Sequence, residues 1–107
     1  MTYDPERTFH ELEKAAEERA QAEYDALLLE RQGEILLAQK MFEAKAEGVA
    51  VTLCKEWART QAEWKIHIEG EAAAVSRRSR ARARYENLKA LAEARRTQEA
   101  STRALTR

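Results

Sequence analysis

One short segment, residues 47–52, interrupts a helical spacing of apolar residues that otherwise runs through most of this chain. The 107 residues include 21 Ala but only three Gly and one Pro, a composition typical of long helices and coiled coils. A chain with one break and strong helix propensity on both sides has few folds open to it. We expect two long helices joined at a single tight corner.

Local signals place the ends of these helices. Pro5 suits a first helical turn with Asp4 as its N-cap, and Gly48 can take the left-handed conformation that closes a helix. Thr52 is a natural N-cap for the helix that follows. Gly33 lies inside the first helix and weakens it by about 1 kcal/mol without ending it. The pattern predicts a helix over about 5–47, a corner at 48–52, a second helix over about 53–97 and a frayed tail at 98–107.

The apolar residues predict more than a hairpin. Phe9, Tyr24, Leu28 and Phe42 belong to a stripe at three- and four-residue spacing, and a hairpin buries one such stripe on each helix. The Leu-rich clusters at 27–29 and 35–37 cover well over half of the helix surface, so further faces need a second partner. We therefore predict an all-α fold, a long antiparallel, coiled-coil-like hairpin that associates with itself into a helical-bundle oligomer, a dimer or higher. Its predicted interface comprises Leu28, Ile35, Leu36, Phe42, Trp57 and Trp64.

Charge is sorted along the chain although the net charge is zero. Residues 1–25 hold eight acids and three bases, residues 26–75 hold eight and six, and residues 76–107 hold three and ten. The densest basic run lies in residues 77–84. A basic run of this kind either pairs with acids elsewhere in the fold or binds an anionic partner. Its members are Arg77, Arg78, Arg80, Arg82 and Arg84.

The hairpin itself offers partners for this run. With the corner centred near residues 49 and 50, residues 77–84 lie alongside residues 15–22. Glu17, Glu18 and Glu23 then face the arginines, and ion pairs between them fix the register of the two helices. Five arginines exceed the local acids, and this surplus favours a nucleic-acid site, where each neutralised phosphate releases counterions.

Other candidate sites are weaker. Trp57 and Trp64 could stack on unpaired bases, but their spacing favours burial in the hairpin or an oligomer interface. Cys54 lies in a helical apolar pattern, which favours a buried thiol. His67 has Glu63 and Glu71 four residues away on either side, yet no ligand from another helix completes a metal site. We predict no metal, no cofactor and no catalytic centre, since no nucleophile–base arrangement or phosphate-binding loop is present.

The corner resembles a known pattern. Residues 46–59 read A-E-G-V-A-V-T-L-C-K-E-W-A-R, and with the helix before them they are similar to small helical proteins encoded by tailed bacteriophages, over residues 34–75. That group carries an A-E-G-x-x-V-T-L-x-K-x-x-A-R corner before a charged helix. The resemblance implies an accessory role beside phage recombination or single-stranded DNA handling, with no catalytic residues.

These observations give two main functional expectations, beside a third in which the chain is a structural or assembly subunit whose function is its oligomer. The first is a non-enzymatic, phage-type accessory protein that binds nucleic acid, in particular single-stranded DNA, through the arginine run. The alternative is a helical inhibitor or adaptor that docks on a host or phage protein and has no affinity for nucleic acid. Without a secretion signal or a membrane-length apolar run, we expect a cytoplasmic location and no membrane partner. For a phage-encoded chain this is the cytoplasm of the host cell.

Overall fold

The computed structural model describes residues 4–106, which form an all-α hairpin measuring 82 × 20 × 17 Å. Helix α1 spans Pro5–Ala46, a single 3-10 turn spans Val51–Leu53, α2 spans Cys54–Arg59 and α3 spans Ala62–Leu105. No strand occurs within residues 4–106. The predicted antiparallel helical hairpin is confirmed.

The start of α1 and the corner follow the predicted local chemistry. The Asp4 carboxylate caps α1 by accepting hydrogen bonds from the backbone N–H groups of Glu6 and Arg7. Gly48 has a φ of +86°, its N–H bonds the carbonyl of Lys45, and the next N–H reaches back to Ala44. This pair of bonds is a Schellman motif, and the left-handed residue it needs is the glycine.

The second arm differs from the continuous helix expected over 53–97. It breaks at Thr60 and Gln61, where Gln61 is extended with φ −72° and ψ 141°. The Thr60 hydroxyl and the side-chain amide of Gln61 both donate to the Trp57 carbonyl. These bonds satisfy a carbonyl in the last turn of α2, where the helix ends. The predicted N-cap at Thr52 is also wrong, because Thr52 lies inside the 3-10 turn and α2 begins at Cys54.

The end of α3 also differs from the prediction. Residues 98–105, expected to fray, continue the helix to Leu105. Hydroxyl groups of Thr97, Thr102 and Thr106 donate to carbonyls three or four residues earlier, as helical side chains do. These residues are nevertheless exposed, so local hydrogen bonding and helix propensity hold this segment rather than packing.

The two arms meet along a seam whose most buried positions are small residues. On α1 the buried and half-buried positions recur every three or four residues, and the same spacing runs along α3. This is the repeat of a coiled-coil pair. None of the described large side chains is fully buried, and the most buried positions are alanines such as Ala44 and Ala58, both 0% exposed. The seam residues are Leu12, Ala15, Arg19, Ala22, Ala26, Leu29, Gly33, Leu36 and Lys40 on α1, and Trp64, His67, Glu71, Ala74, Arg78, Ala81, Tyr85, Leu88 and Ala92 on α3.

The stripe of large residues that marks α1 in the sequence does not face α3. Phe9, Tyr24, Ile35 and Phe42 are 65, 59, 60 and 75% exposed. Small residues allow two helices to approach closely, so the side with the smaller apolar residues forms the seam and the larger ones point away. The hairpin therefore buries a different stripe of α1, and the assignment of Leu28, Ile35 and Phe42 to an oligomer interface stays a prediction.

Candidate nucleic-acid interface

The arginine run lies on one uninterrupted stretch of α3, about halfway along its length. Arg77, Arg80, Arg82 and Arg84 are exposed, whereas Arg78 is half-buried. The helix distributes the five side chains over its seam and both flanks. Their roles therefore differ.

Two members of the run pair with acids of α1. Arg82 Nε donates to Glu23 Oε1 at 2.7 Å, and Arg84 Nη1 lies 3.8 Å from Glu18 Oε2. The hydrogen bond from Arg82 is the largest cause of a pKa of Glu23 below its ordinary value of 4.5, and the charge of Arg19 adds to it. The expectation that arginines of the run pair with Glu18 and Glu23 across the hairpin is confirmed.

The register of the pairing is displaced from the predicted one. The expected register placed Arg82 beside Glu17 and Arg84 beside Ala15, which lie six and three residues from their actual partners, Glu23 and Glu18. Chain reversal is completed in the 3-10 turn after Gly48, so the centre of the hairpin lies a few residues later than expected.

Arg78 belongs to the seam and not to an outward ridge. Its Nε atom is buried and makes no hydrogen bond within residues 4–106. Below it along the seam, the Arg19 guanidinium lies 5.2 Å from the centre of the Tyr85 ring, in a cation–π contact. Arg78 therefore exposes less of its side chain than the four other arginines of the run.

Arg77 and Arg80 remain as outward-facing charges. Both are exposed, and neither makes an ion pair with another residue in the described part of the chain. Because they are three residues apart, they lie on one side of α3. They are the exposed part of the run whose charge is not paired within the described residues.

The helical end of α3 adds bases that the sequence reading left out. Arg82, Lys89, Arg96 and Arg103 occur at intervals of seven residues, so a helix that continues to Leu105 puts them along one flank over about 30 Å. Arg103 lies 3.9 Å from Glu99. The sequence shows these bases as a seven-residue repeat, but the repeat indicates one flank only if residues 98–105 are helical.

The predicted oligomer-interface residues divide into two groups. Leu28, Ile35 and Phe42 lie on the exposed outer side of α1, at 41, 60 and 75% exposure. Leu36, Trp57 and Trp64 are half-buried. Trp64 stacks on His67 with ring centroids 5.7 Å apart, so its indole is engaged within the hairpin. The structure does not bring the six residues onto one surface.

The other candidate site residues, Cys54 and His67, make contacts within the hairpin. Cys54 is buried, and its thiol lies 3.4 Å from the carbonyl oxygen of Ala50 and 3.6 Å from that of Val49. His67 Nε2 lies 3.3 Å from Glu71, but Glu63 binds Lys40 of α1 instead. Within residues 4–106 no three His, Cys, Asp or Glu side chains come together as a metal site would need.

Comparisons with family models, curated proteins and solved structures found no match. The resemblance of residues 34–75 to phage proteins therefore stays a prediction. None of the described helices combines the length and the apolar run that crossing a bilayer requires.

Proposed function

We propose that this chain is a non-enzymatic helical protein that binds nucleic acid through the basic side of α3. The observation that carries the proposal is the pair Arg77 and Arg80, both exposed and both without an ion pair to any described residue. Arginines not neutralised within the fold keep their full attraction for phosphate, and each contact made releases counterions.

Arg82, Lys89, Arg96 and Arg103 lie on the other flank of α3 from Arg77 and Arg80, and they support the proposal as a second basic row along the rod. Residues 77–106 contain nine bases and three acids, so this half of α3 is strongly positive overall. A row of charges of this length suits contacts to a phosphate backbone, which position a nucleic acid without reading its sequence.

The preference for single strands rests on the phage resemblance. Trp64 is stacked on His67 and Tyr85 lies under Arg19, so neither ring is an open platform for an unpaired base. Binding through phosphates alone predicts weak sequence preference. The same resemblance makes the proposed role that of an accessory protein of tailed phages, acting in the cytoplasm of the host cell.

The test is fluorescence anisotropy with labelled single- and double-stranded oligonucleotides over a salt series. Replacing Arg77 and Arg80 by Gln removes two phosphate contacts, so the slope of log affinity against log salt should fall by about 1.4 for single strands. The matched control replaces Arg59 and Lys65, two exposed bases near the corner, by Gln and should leave the slope unchanged. Absence of binding even at low salt, or equal effects of both double variants, would contradict the proposal.

A second function is favoured by the exposed apolar side chains of α1. A helical inhibitor or adaptor would dock this surface on a host or phage protein and would need no affinity for nucleic acid. Nuclease-resistant recovery of one stoichiometric partner, together with no oligonucleotide binding, would favour this alternative. Substitution of Ile35 by Lys should then abolish the recovery.

Self-association is part of the proposal for either function. The seam buries mainly alanine, and thin helical units of this size are commonly stabilised by a second copy. The exposed Leu, Ile and Phe side chains of α1 supply the surface for it.

A further inference from the structure

The outer side of α1 carries a second regular repeat besides the seam. We name as the outer stripe Tyr24, Leu28, Arg31, Ile35, Ala38 and Phe42, which are spaced four, three, four, three and four residues apart. This is the spacing that places side chains on one seam of a coiled coil. The outer stripe lies two residues ahead of the seam in every heptad, and this offset puts it on the opposite side of the helix.

The outer stripe is large enough to hold a second helix. It extends over about 27 Å of α1. Its large members are 41–75% exposed, and with the neighbouring Leu27, 51% exposed, they leave on the order of 500 Å² of apolar surface open to a partner. A standard interface buries about 800 Å² on each side, so the outer stripe and its flanks approach what a stable dimer needs.

A single charge within the outer stripe selects the direction of the partner. Arg31 lies at its centre and pairs with Glu34 at 3.8 Å. If a second copy packed in parallel and in register, Arg31 would face the same arginine of that copy, and two like charges would share one layer. If the copies run antiparallel, Arg31 lies opposite Ile35 of the second copy, next to its Glu34. Each Arg31 then lies near Glu34 of the other copy, so opposite charges are neighbours at the centre of the interface.

We propose that two copies of this chain dimerise antiparallel through the outer stripe of α1, with the two-fold axis between the two α1 helices at the level of residue 33. Tyr24 of each copy packs against Phe42 of the other, and Leu28 against Ala38. The inference rests on the self-association proposed above and adds the residues that pair across the interface and the direction of the second copy.

The antiparallel arrangement leaves the distal end of each hairpin outside the overlap of the two copies. The axis lies about 17 residues from the corner but 28 residues from the start of α1, so the copies overlap in their corner-proximal parts. The corner of each copy reaches the level of residue 16 of the other, so residues 5–15 of α1, with the late bases of α3, project from opposite ends of the dimer.

The first experiment measures molar mass by sedimentation or light scattering over a concentration series. The unmodified chain should be a dimer, and Ile35→Lys should shift the midpoint of dissociation at least tenfold upward in concentration. Ile66→Lys is the matched control, because Ile66 is 69% exposed against 60% for Ile35 but lies on α3. A monomer at all concentrations would overturn self-association itself. An equal effect of Ile66→Lys would place the interface elsewhere on the hairpin and overturn the proposed surface.

The second experiment fixes the direction by disulfide trapping in a Cys54→Ala background, so that each variant holds one thiol. In the antiparallel dimer, Gln32→Cys lies about 3 Å along the axis from its own mate and Ala38→Cys about 15 Å, so only the former cross-links. A parallel dimer reverses this outcome, because position 38 then faces itself at the centre of the interface. Cross-linking at Ala38→Cys with an unchanged dimer mass would leave self-association standing and overturn the antiparallel arrangement.

Discussion

His67 fills the space that Gly33 leaves on the facing helix. A Cβ atom on Gly33 would lie 2.5 Å from His67 Nε2, closer than real contacts of this kind allow. The imidazole has little room to retreat, because its side chain is 10% exposed, stacks on Trp64 and lies 3.3 Å from Glu71. The glycine is therefore needed for the contact between helices, although it weakens α1 locally.

Gly33→Ala should destabilise the hairpin despite the better helix propensity of alanine. Overpacking against the imidazole outweighs a propensity gain of about 1 kcal/mol, so the free energy of unfolding should fall by about 1–2 kcal/mol in urea denaturation. In a His67→Ala background the obstruction is gone, and the same substitution should raise it by about 0.5–1 kcal/mol. Equal effects in both backgrounds would show that the two residues do not interact.

Ion pairs across the seam make stability depend on pH at both ends of the scale. The hydrogen bond from Arg82 holds the pKa of Glu23 below 4.5, so the contribution of Glu23 is complete above that value and is lost as pH falls through the lowered pKa. Lys40, buried at 8% exposure, bonds Glu63 and Glu43, which raise its pKa above 10.5. Its contribution is complete below 10.5 and is lost as pH rises through the raised pKa.

The acid side of this dependence can be tested with Glu23→Gln. The variant should lose the part of the decrease in stability that occurs below pH 4.5, as followed by the urea midpoint at a series of pH values. Glu13→Gln is the control, since Glu13 is exposed and makes no ion pair within the described residues. A parallel pH profile for Glu23→Gln and the unmodified chain would contradict the assigned role of the pair.

At the scale of the helices, Gly48 and Gly70 differ in whether the backbone requires a glycine. Gly48 closes α1 with a φ of +86°, whereas Gly70 is helical and a Cβ there meets nothing within 4 Å. The two positions therefore predict opposite effects of one substitution.

Gly48→Ala should lower the free energy of unfolding by about 1–2 kcal/mol, because a left-handed alanine is strained. Gly70→Ala should raise it by about 0.5–1 kcal/mol through helix propensity. Thermal unfolding followed by circular dichroism compares the two directly. A gain in melting temperature for Gly48→Ala would mean that the corner relaxes out of the left-handed conformation.

The sequence could predict the corner but not the side on which the helices meet. Gly48 and Asp4 act through bonds to residues within five positions, and such local signals are legible in the chain. The seam depends on how closely two helices approach, and there Ala26 and Ala74 are buried while the larger Ile35 and Phe42 are exposed. The break at Thr60 and Gln61 was missed because it involves neither glycine nor proline.

At the scale of the whole molecule, the zero net charge conceals two charged sides. Residues 4–25 on α1 hold eight acids and three bases, and the antiparallel fold lays them along the basic half of α3. The ends of the sequence predicted this contact. The number of arginines that form ion pairs with α1 could not be predicted. It depends on which side chains reach across to α1, as Arg82 does, and which point away, as Arg77 does.

Opposite charges on opposite long sides give the molecule an electric dipole across its width, not along its 82 Å length. The field of a nearby polyanion therefore exerts a torque that rolls the rod about its own axis until α3 faces the polyanion, with the rod lying parallel to it. The first encounter is broadside and already aligned. At 0.1 M salt the screening length of about 10 Å is shorter than the rod's 17–20 Å width, so this steering fades within the physiological range.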